Sequence, residues 1–168
     1  MLIRIIITLF VLLTNSLAEE ISGIPKVIDG DTVHINNYKF RLEGIDAPEM
    51  RQQCKKESFK ISFFIGFTFY KDYSCGRVSK EKLITKIDTT EIKCISSSKD
   101  RYKRYIATCY KGKTNLNQWM VRNGFAIAYR RYSKIYVPDE EFAKENKLGL
   151  WKGTVSYTHL RAHETIHY

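Results

Sequence analysis

The stretch Val27–Glu49, VIDGDTVHINNYKFRLEGIDAPE, contains short apolar runs separated by residues that favour turns. Asp29-Gly30-Asp31 is typical of a turn, Asn36-Asn37 predicts a hairpin turn, and Pro48 ends a strand because it lacks a backbone donor. Three strands are predicted in this region, at Ile24–Ile28, Thr32–Ile35 and Tyr38–Ile45. The first part of the chain is therefore β-structured, with its acidic residues placed at turns and strand ends.

The rest of the chain predicts one hairpin and three helices. Residues 51–74 mix lysines with phenylalanines and are interpreted as an insertion. The predicted hairpin comprises Glu91–Ile95 and Tyr105–Tyr110. The helices are expected near Arg77–Ile87, from Asn115 to Arg122 before Gly124, and from Pro138 to a stop at Lys147 and Gly149. Five short strands followed by helices indicate an α+β protein, an OB-fold β-barrel capped by about three α-helices.

Four cysteines lie in the central part of the chain. A hairpin turn centred between Arg101 and Tyr102 places Cys94 directly opposite Cys109, within disulfide reach. This leaves Cys54 to pair with Cys75. A zinc site is the competing interpretation, but no pair has CxxC spacing and no histidine lies near them in the core region. The even number of cysteines favours disulfides and an oxidising compartment.

The two ends of the chain are set apart from the folded domain, which is expected at 19–154. Residues 1–18 have the pattern of a secretory signal peptide: Arg4, the apolar run Ile5–Leu13, and small residues around Ala18. An uncleaved anchor is the alternative, but the apolar run is shorter than the roughly 20 residues that span a bilayer. We therefore expect an exported protein, periplasmic or extracellular.

The C-terminal residues 155–168 resemble the translation of a sequencing-library adapter and are interpreted as a non-native tail. A natural disordered tail is the alternative. His159, His163 and His167 are accordingly not interpreted as a metal site.

The chain carries a formal net charge of +10 over 168 residues. Such an excess favours polyanionic partners, either nucleic acid or an anionic membrane surface. Charge alone does not choose between them. A membrane-surface protein would need a basic amphipathic helix, whereas the last predicted helix begins with acidic residues.

Three acids and two arginines suggest a phosphodiesterase. Asp31 and Asp46 could supply two oxygen ligands to a hard cation such as Ca²⁺. Arg41 and Arg104 could stabilise the charge that grows on a phosphate during attack, and Glu49 could orient or deprotonate water. Each also has an ordinary structural explanation: Asp31 as a turn former, Arg41 as a surface residue, and Arg104 as a partner of Asp100 across its own turn.

The motifs VIDGDTV (27–33), FRL (40–42) and IDAPE (45–49) together resemble the signature of the staphylococcal (micrococcal) nuclease family, and DRYKR (100–104) resembles its second motif. The similarity extends over roughly 24–151, apart from the insertion. It implies an OB-fold and a calcium-dependent hydrolase that cuts DNA and RNA to products ending in 3′-phosphate. The implied calcium ligands are Asp31, Asp46 and the carbonyl of Ala47.

The same resemblance implies a catalytic trio and a nucleotide pocket. Arg41, Glu49 and Arg104 match the trio. Arg101 and Tyr102 match residues beside the pocket. Tyr132 is either the equivalent of a stacking tyrosine of the family or a half-buried core residue. A monomer that acts on DNA and RNA, with no stable membrane partner, is expected. The alternative is a catalytically inactive OB-fold module that binds nucleic acid. Loss of the acids or arginines from the sequence would indicate such an inactive module.

Two positions depart from the family pattern. Ala47 stands where the founding member has threonine, which is harmless if only its backbone carbonyl binds. Lys103 stands where the family usually has glycine. If that position requires a positive φ, lysine strains the turn and could displace Arg104.

Overall fold

The computed structural model describes residues 19–61 and 67–152, so the expected signal peptide and tail lie outside the described residues. These described residues form eleven short strands: β1 Glu19–Gly23, β2 Lys26–Val27, β3 Thr32–Ile35, β4 Tyr38–Leu42, β5 Ile45–Asp46, β6 Cys54–Ile61, β7 Phe67–Tyr73, β8 Ile92–Lys99, β9 Tyr105–Lys111, β10 Thr114–Asn115 and β11 Ile127–Ala128. The helices are α1 Cys75–Ile87, α2 Leu116–Arg122 and α3 Val137–Glu145, with a 3₁₀ turn at Gly149–Lys152.

The main sheet curls because both of its edges come from adjacent segments of the chain. Its strand order is β1-β8-β9-β4-β3-β2, with β10 added beside β9. Only Ile24 and Pro25 separate β1 from β2, so these two strands act as the halves of one interrupted strand. Strand β4 pairs with β9 in parallel, and the other pairings in this sheet are antiparallel. This mixed, partly open barrel with three helices confirms the predicted α+β OB-type fold.

The predicted third strand, Tyr38–Ile45, is wrong as a continuous element. It is divided into β4 and β5 by a turn at Gly44, whose φ is 72°. Strand β5 then leaves the main sheet and pairs with β11, with Asp46 opposite Ile127. The turn matters for the site because residues five apart on a continuous strand point to opposite faces.

The insertion forms a separate antiparallel hairpin of β6 and β7, which the sequence analysis did not predict as strands. The two predicted disulfides are both present. Cys94 and Cys109 lie opposite each other on β8 and β9, while Cys54 and Cys75 close the base of the hairpin. The predicted pairings are therefore confirmed.

The helices pack the barrel core and begin largely where the sequence indicates. Asn115 caps α2, its side chain accepting a hydrogen bond from the Gln118 amide at 3.0 Å, and Gly124 follows the helix with a φ of 70°. The largest fully buried side chains include Phe40, Leu83 and Met120. No helix among the described residues is both long and apolar enough to cross a bilayer.

Candidate active site

A cleft of about 1270 Å³ lies beside β4, β5 and the β8–β9 turn. It gathers many of the residues that the sequence analysis selected: Arg41, Asp46, Glu49, Arg101, Tyr102, Arg104 and Tyr132. Asp31 and Ala47 are buried, and Asp31 contacts this cluster through Arg41. The fold thus brings residues from four separate parts of the chain to one place.

Arg41 bridges two carboxylates. Its Nη1 donates to Asp31 Oδ1 at 2.8 Å, and its Nη2 donates to Asp46 Oδ1 at 2.8 Å. The break at Gly44 explains how Arg41 and Asp46 can meet although they are five residues apart. The backbone N–H of Ala47 donates to Asp31 Oδ2 at 3.1 Å, and the Thr32 hydroxyl donates to Asp31 Oδ1 at 2.9 Å.

The oxygen donors and charge of this cluster suit a hard cation. One guanidinium cannot neutralise two ionised carboxylates, and Ca²⁺ takes carboxylate, carbonyl and water oxygens in a flexible shell. Within residues 19–61 and 67–152, no group of three or more acidic, histidine or cysteine side chains lies close enough together to hold a metal ion. The two carboxylates would thus form part of a shell completed by carbonyl oxygen and water.

Burial governs the titration of Asp31, which is 3% exposed. Burial raises the pKa of Asp31 from 3.8 to about 7, against the lowering effect of Arg41. The nearby carboxylates of Asp29 and Asp46 also act to raise the pKa of Asp31, and the value of about 7 already includes their effect. A buried carboxylate that is costly to ionise is one that a bound cation would favour in its charged form.

The raised pKa of Asp31 gives a pH-dependent stability in the absence of calcium. Because protonation favours the folded state here, this stabilisation is fully present below pH 3.8 and is lost as the pH rises through about 7. We expect the unfolding free energy of the wild type, relative to that of Asp31→Asn, to increase as the pH falls across this window. Urea unfolding in chelator measures it, and parallel pH profiles for the two proteins would contradict the assignment.

The turn between β8 and β9 is organised by Asp100. Its Oδ1 accepts hydrogen bonds from the backbone amides of Tyr102 and Arg104, and its Oδ2 accepts from Arg104 Nε, at 2.8–2.9 Å. Burial opposes ionisation of Asp100, but the bonds from Arg104 and Tyr102 outweigh it and lower its pKa. The Arg104–Asp100 pairing proposed as a structural explanation is therefore present. The side-chain bond to Asp100 uses Nε of Arg104, and the two terminal nitrogens of the guanidinium take no part in it. Arg104 also lines the cleft.

Lys103 has a φ of 63°, the conformation that usually requires glycine. Arg104 nevertheless remains on the cleft wall. The fold accepts the strain in this turn because Asp100 binds the residues on either side of Lys103.

Lys103→Gly should stabilise the folded protein by about 1 kcal/mol, since relief of a strained φ exceeds the extra entropy that glycine loses. Thermal and urea unfolding measure the change. Lys113→Gly serves as the control for loss of one exposed lysine. A destabilised Lys103→Gly protein would show that the lysine side chain, and not its backbone strain, dominates at this position.

The two aromatic candidates are both exposed. Tyr132 is 74% exposed, so the interpretation of Tyr132 as a half-buried core residue is wrong. Its ring lies 4.9 Å from that of Tyr129. Tyr102 is 63% exposed, with the guanidinium of Arg101 4.8 Å from its ring centre. Both rings are available for contact with a ligand in the cleft.

The cleft also contains residues that the sequence analysis missed, namely Lys39, Lys99, Tyr129 and Arg131. Lys39 precedes Arg41 by two residues on β4, so strand periodicity could have placed both on one face. Tyr129 and Arg131 follow β11, whose pairing with β5 is a long-range contact. No local pattern identifies such a contact.

Comparison with known proteins assigns the family. A family model described as staphylococcal nuclease homologue matches residues 39–153. The succinoglycan biosynthesis protein ExoI of Rhizobium meliloti (strain 1021) is 32% identical over 139 residues, covering 80% of this chain and 66% of that protein. An uncharacterized endonuclease of Haemophilus influenzae (strain ATCC 51907 / DSM 11121 / KW20 / Rd) is 33% identical over 135 residues, covering 76% of this chain and 64% of the relative.

A protein named micrococcal nuclease from Shigella flexneri is 27% identical over 146 residues, covering 76% of this chain and 71% of that protein. The chain thus spans slightly less than two thirds of the length of the two relatives described first. The family match includes four of the five acids and arginines, and Asp31 precedes it. The resemblance found in the sequence is confirmed, and the chain belongs to the staphylococcal nuclease homologue family.

Proposed function

We propose that the chain is an exported, calcium-dependent nuclease that hydrolyses phosphodiester bonds of DNA and RNA with little sequence preference. The observation that carries the proposal is a single cleft lined by Arg41, Glu49 and Arg104, with two carboxylates held against Arg41. Family membership and the names of two relatives, an endonuclease and a micrococcal nuclease, support the same reaction class.

The cleft lining suits a nucleic-acid strand. Four further cationic side chains line it: Lys39, Lys99, Arg101 and Arg131. Lysine and arginine bind the phosphate backbone without sequence preference, and exposed aromatic rings stack on bases of any identity. Tyr102 and Tyr132 would provide such rings. These features favour single-stranded or locally open substrates.

The proposed chemistry is attack of water on phosphorus with cleavage of the P–O5′ bond, so that one product ends in a 3′-phosphate and the 5′ oxygen takes up a proton and leaves as a 5′-hydroxyl. Glu49 orients the water or accepts its proton. Arg41 and Arg104 donate hydrogen bonds to phosphoryl oxygens whose negative charge grows during attack. Calcium held by Asp31, Asp46 and the Ala47 carbonyl would supply electrostatic stabilisation of the same charge. Asp100 fixes the Arg104 guanidinium through Nε.

Export is supported by two disulfides, since such bonds persist in oxidising compartments. The signal-peptide pattern at residues 1–18 agrees with this proposal. We propose that the folded domain of residues 19–154 acts as a monomer after signal removal, and that residues 155–168 take no part in the reaction.

Digestion of plasmid DNA and of RNA by the purified domain, first with calcium and then with a chelator, tests the proposal. We expect cleavage of both polymers with calcium, loss of cleavage with chelator, and products whose 3′ ends accept a label only after phosphatase removes the 3′-phosphate. Binding of DNA without cleavage under any of these conditions would instead support the inactive nucleic-acid-binding module.

A further inference from the structure

The Cys54–Cys75 disulfide joins the segment that carries Glu49 to the start of helix α1. Cys54 follows Glu49 by five residues, and Cys75 is the first residue of α1. The Cα atoms of the two cysteines are 5.6 Å apart, although 21 positions separate them in sequence. The bond therefore holds together two segments that the chain itself connects only through the β6–β7 hairpin.

The segment held in this way packs tightly on α1. Gly76 lies so close to Glu49 that a Cβ atom at residue 76 would overlap the Glu49 carbonyl oxygen. The Gln52 amide donates to the Glu49 carbonyl at 2.8 Å, and the Glu49 amide donates to Gln52 Oε1 at 3.2 Å. The Sγ atom of Cys75 lies 3.4 Å from the Gln52 carbonyl oxygen. The backbone of Glu49 is thus fixed by contacts next to the disulfide.

A hydrogen bond also joins the Glu49 segment to the residue that precedes α1. Gln53 Nε2 donates to Ser74 Oγ at 3.0 Å; the Gln53 side chain is exposed and that of Ser74 is partly exposed. Without the disulfide, closing the long connection through the hairpin would cost conformational entropy each time Glu49 reaches its place. One exposed hydrogen bond compensates for this entropic cost poorly, because water competes for both of its partners.

The disulfide also supports the strand behind the carboxylate cluster. Cys54 and Cys75 are 4% and 1% exposed and form a small core with Ile127 and Leu150. Ile127 lies in β11 directly opposite Asp46 of β5. The buried bond therefore lies next to residues that contact Glu49, namely Gln52 and Gly76, and next to Ile127, which pairs with Asp46.

We propose that the Cys54–Cys75 bond holds Glu49 in its catalytic position, and that the chain with this bond reduced is a poor nuclease. This inference rests on the proposed function. Forming the bond removes two protons and two electrons from the thiols, and a disulfide-bearing oxidant in the oxidising compartment accepts the electrons. A chain in a reducing compartment consequently has low turnover, which spares the nucleic acids there until the chain is exported.

The test compares two double variants that each lack one disulfide. Cys54→Ala/Cys75→Ala should lower kcat about 10²-fold, since misplacement of a reacting group by about 1 Å has effects of that size. Its affinity for single-stranded DNA should change only a few-fold. The matched control, Cys94→Ala/Cys109→Ala, loses a bond away from the Glu49 segment and should keep its kcat at temperatures where circular dichroism shows it folded. Equal kcat losses in both variants would overturn the inference.

A double-mutant cycle separates positioning of Glu49 from general loosening of the fold. In a Glu49→Gln background, removing Cys54–Cys75 should lower the residual kcat by less than about threefold, because the group that the bond positions is already disabled. A further 10²-fold loss in that background would show that the bond does not act through Glu49.

Gly76→Ala provides a test that keeps both disulfides and so does not depend on folding without one. Its methyl group displaces the Glu49 carbonyl, and kcat should fall while DNA affinity is retained. An unchanged kcat would contradict the need for this placement. An inactive wild type would refute the proposed function itself, whereas an active wild type whose kcat survives loss of Cys54–Cys75 would refute only this inference.

Discussion

Asp31→Ala and Asp46→Ala should each abolish calcium-dependent cleavage while leaving the domain folded. Both carboxylates bind the same Arg41 guanidinium, so removing either one deletes a proposed calcium ligand and an ion pair of that arginine. Magnesium should replace calcium poorly in the wild type, because magnesium requires a tighter octahedral shell.

The milder variant Asp31→Asn separates loss of charge from loss of packing. Its amide oxygen can still accept from Thr32 and Arg41, whose donors lie 2.9 and 2.8 Å from Asp31. We expect a folded protein with no calcium-stimulated cleavage and no calcium-dependent rise in melting temperature. Glu91→Gln, at an exposed acid outside the cleft, is the control. Normal activity in both the Asp31 and Asp46 variants would disprove the metal assignment.

Arg41→Lys and Arg104→Lys should each lower turnover by about 10²–10³, equivalent to about 3–4 kcal/mol in the barrier. A guanidinium donates paired hydrogen bonds to phosphoryl oxygens, and an ammonium group cannot reproduce that geometry. Affinity for single-stranded DNA in calcium should change only a few-fold, because other cationic side chains line the cleft. Single-turnover cleavage and equilibrium binding measure the two quantities.

The matched control for these variants is Arg77→Lys, an exposed arginine on α1 that does not line the cleft. Near-normal turnover of Arg104→Lys would mean that this arginine serves only its bond to Asp100. The turn containing the strained Lys103 would then be structural, and the proposed catalytic trio would be wrong.

Local patterns predicted the strands and caps that depend on neighbouring residues. Asn36 adopts a positive φ of 52° in the predicted hairpin turn, and Asn115 caps α2 through its own side chain. The register that places Cys94 opposite Cys109 is also correct. A bulge at 96–98 shifts the later pairs by one residue, however, so that Lys99 faces Tyr105. The alternation of apolar and polar residues along a strand cannot reveal a bulge that leaves this pattern intact in both strands.

Features that depend on distant contacts could not be predicted. Gly44 separates β4 from β5 because β5 pairs with β11, more than 80 residues later. Strand β1 was missed because its partner is β8. Tyr132 was ambiguous in sequence because a tyrosine suits either a core or a cleft, and only the fold exposes it. The acids and arginines of the site were selected through recurring motifs, since no spacing rule brings them together.

Calcium dependence of the site is measured by the initial rate of single-stranded DNA cleavage as a function of free calcium, for the wild type and Asp46→Asn. Asp46 is held by Arg41 at 2.8 Å and lines the cleft. We predict that the wild-type rate rises with calcium to saturation and vanishes in chelator, whereas the Asp46→Asn rate stays near background throughout. A wild-type rate that is independent of calcium, or an Asp46→Asn curve that overlays it, would contradict the account.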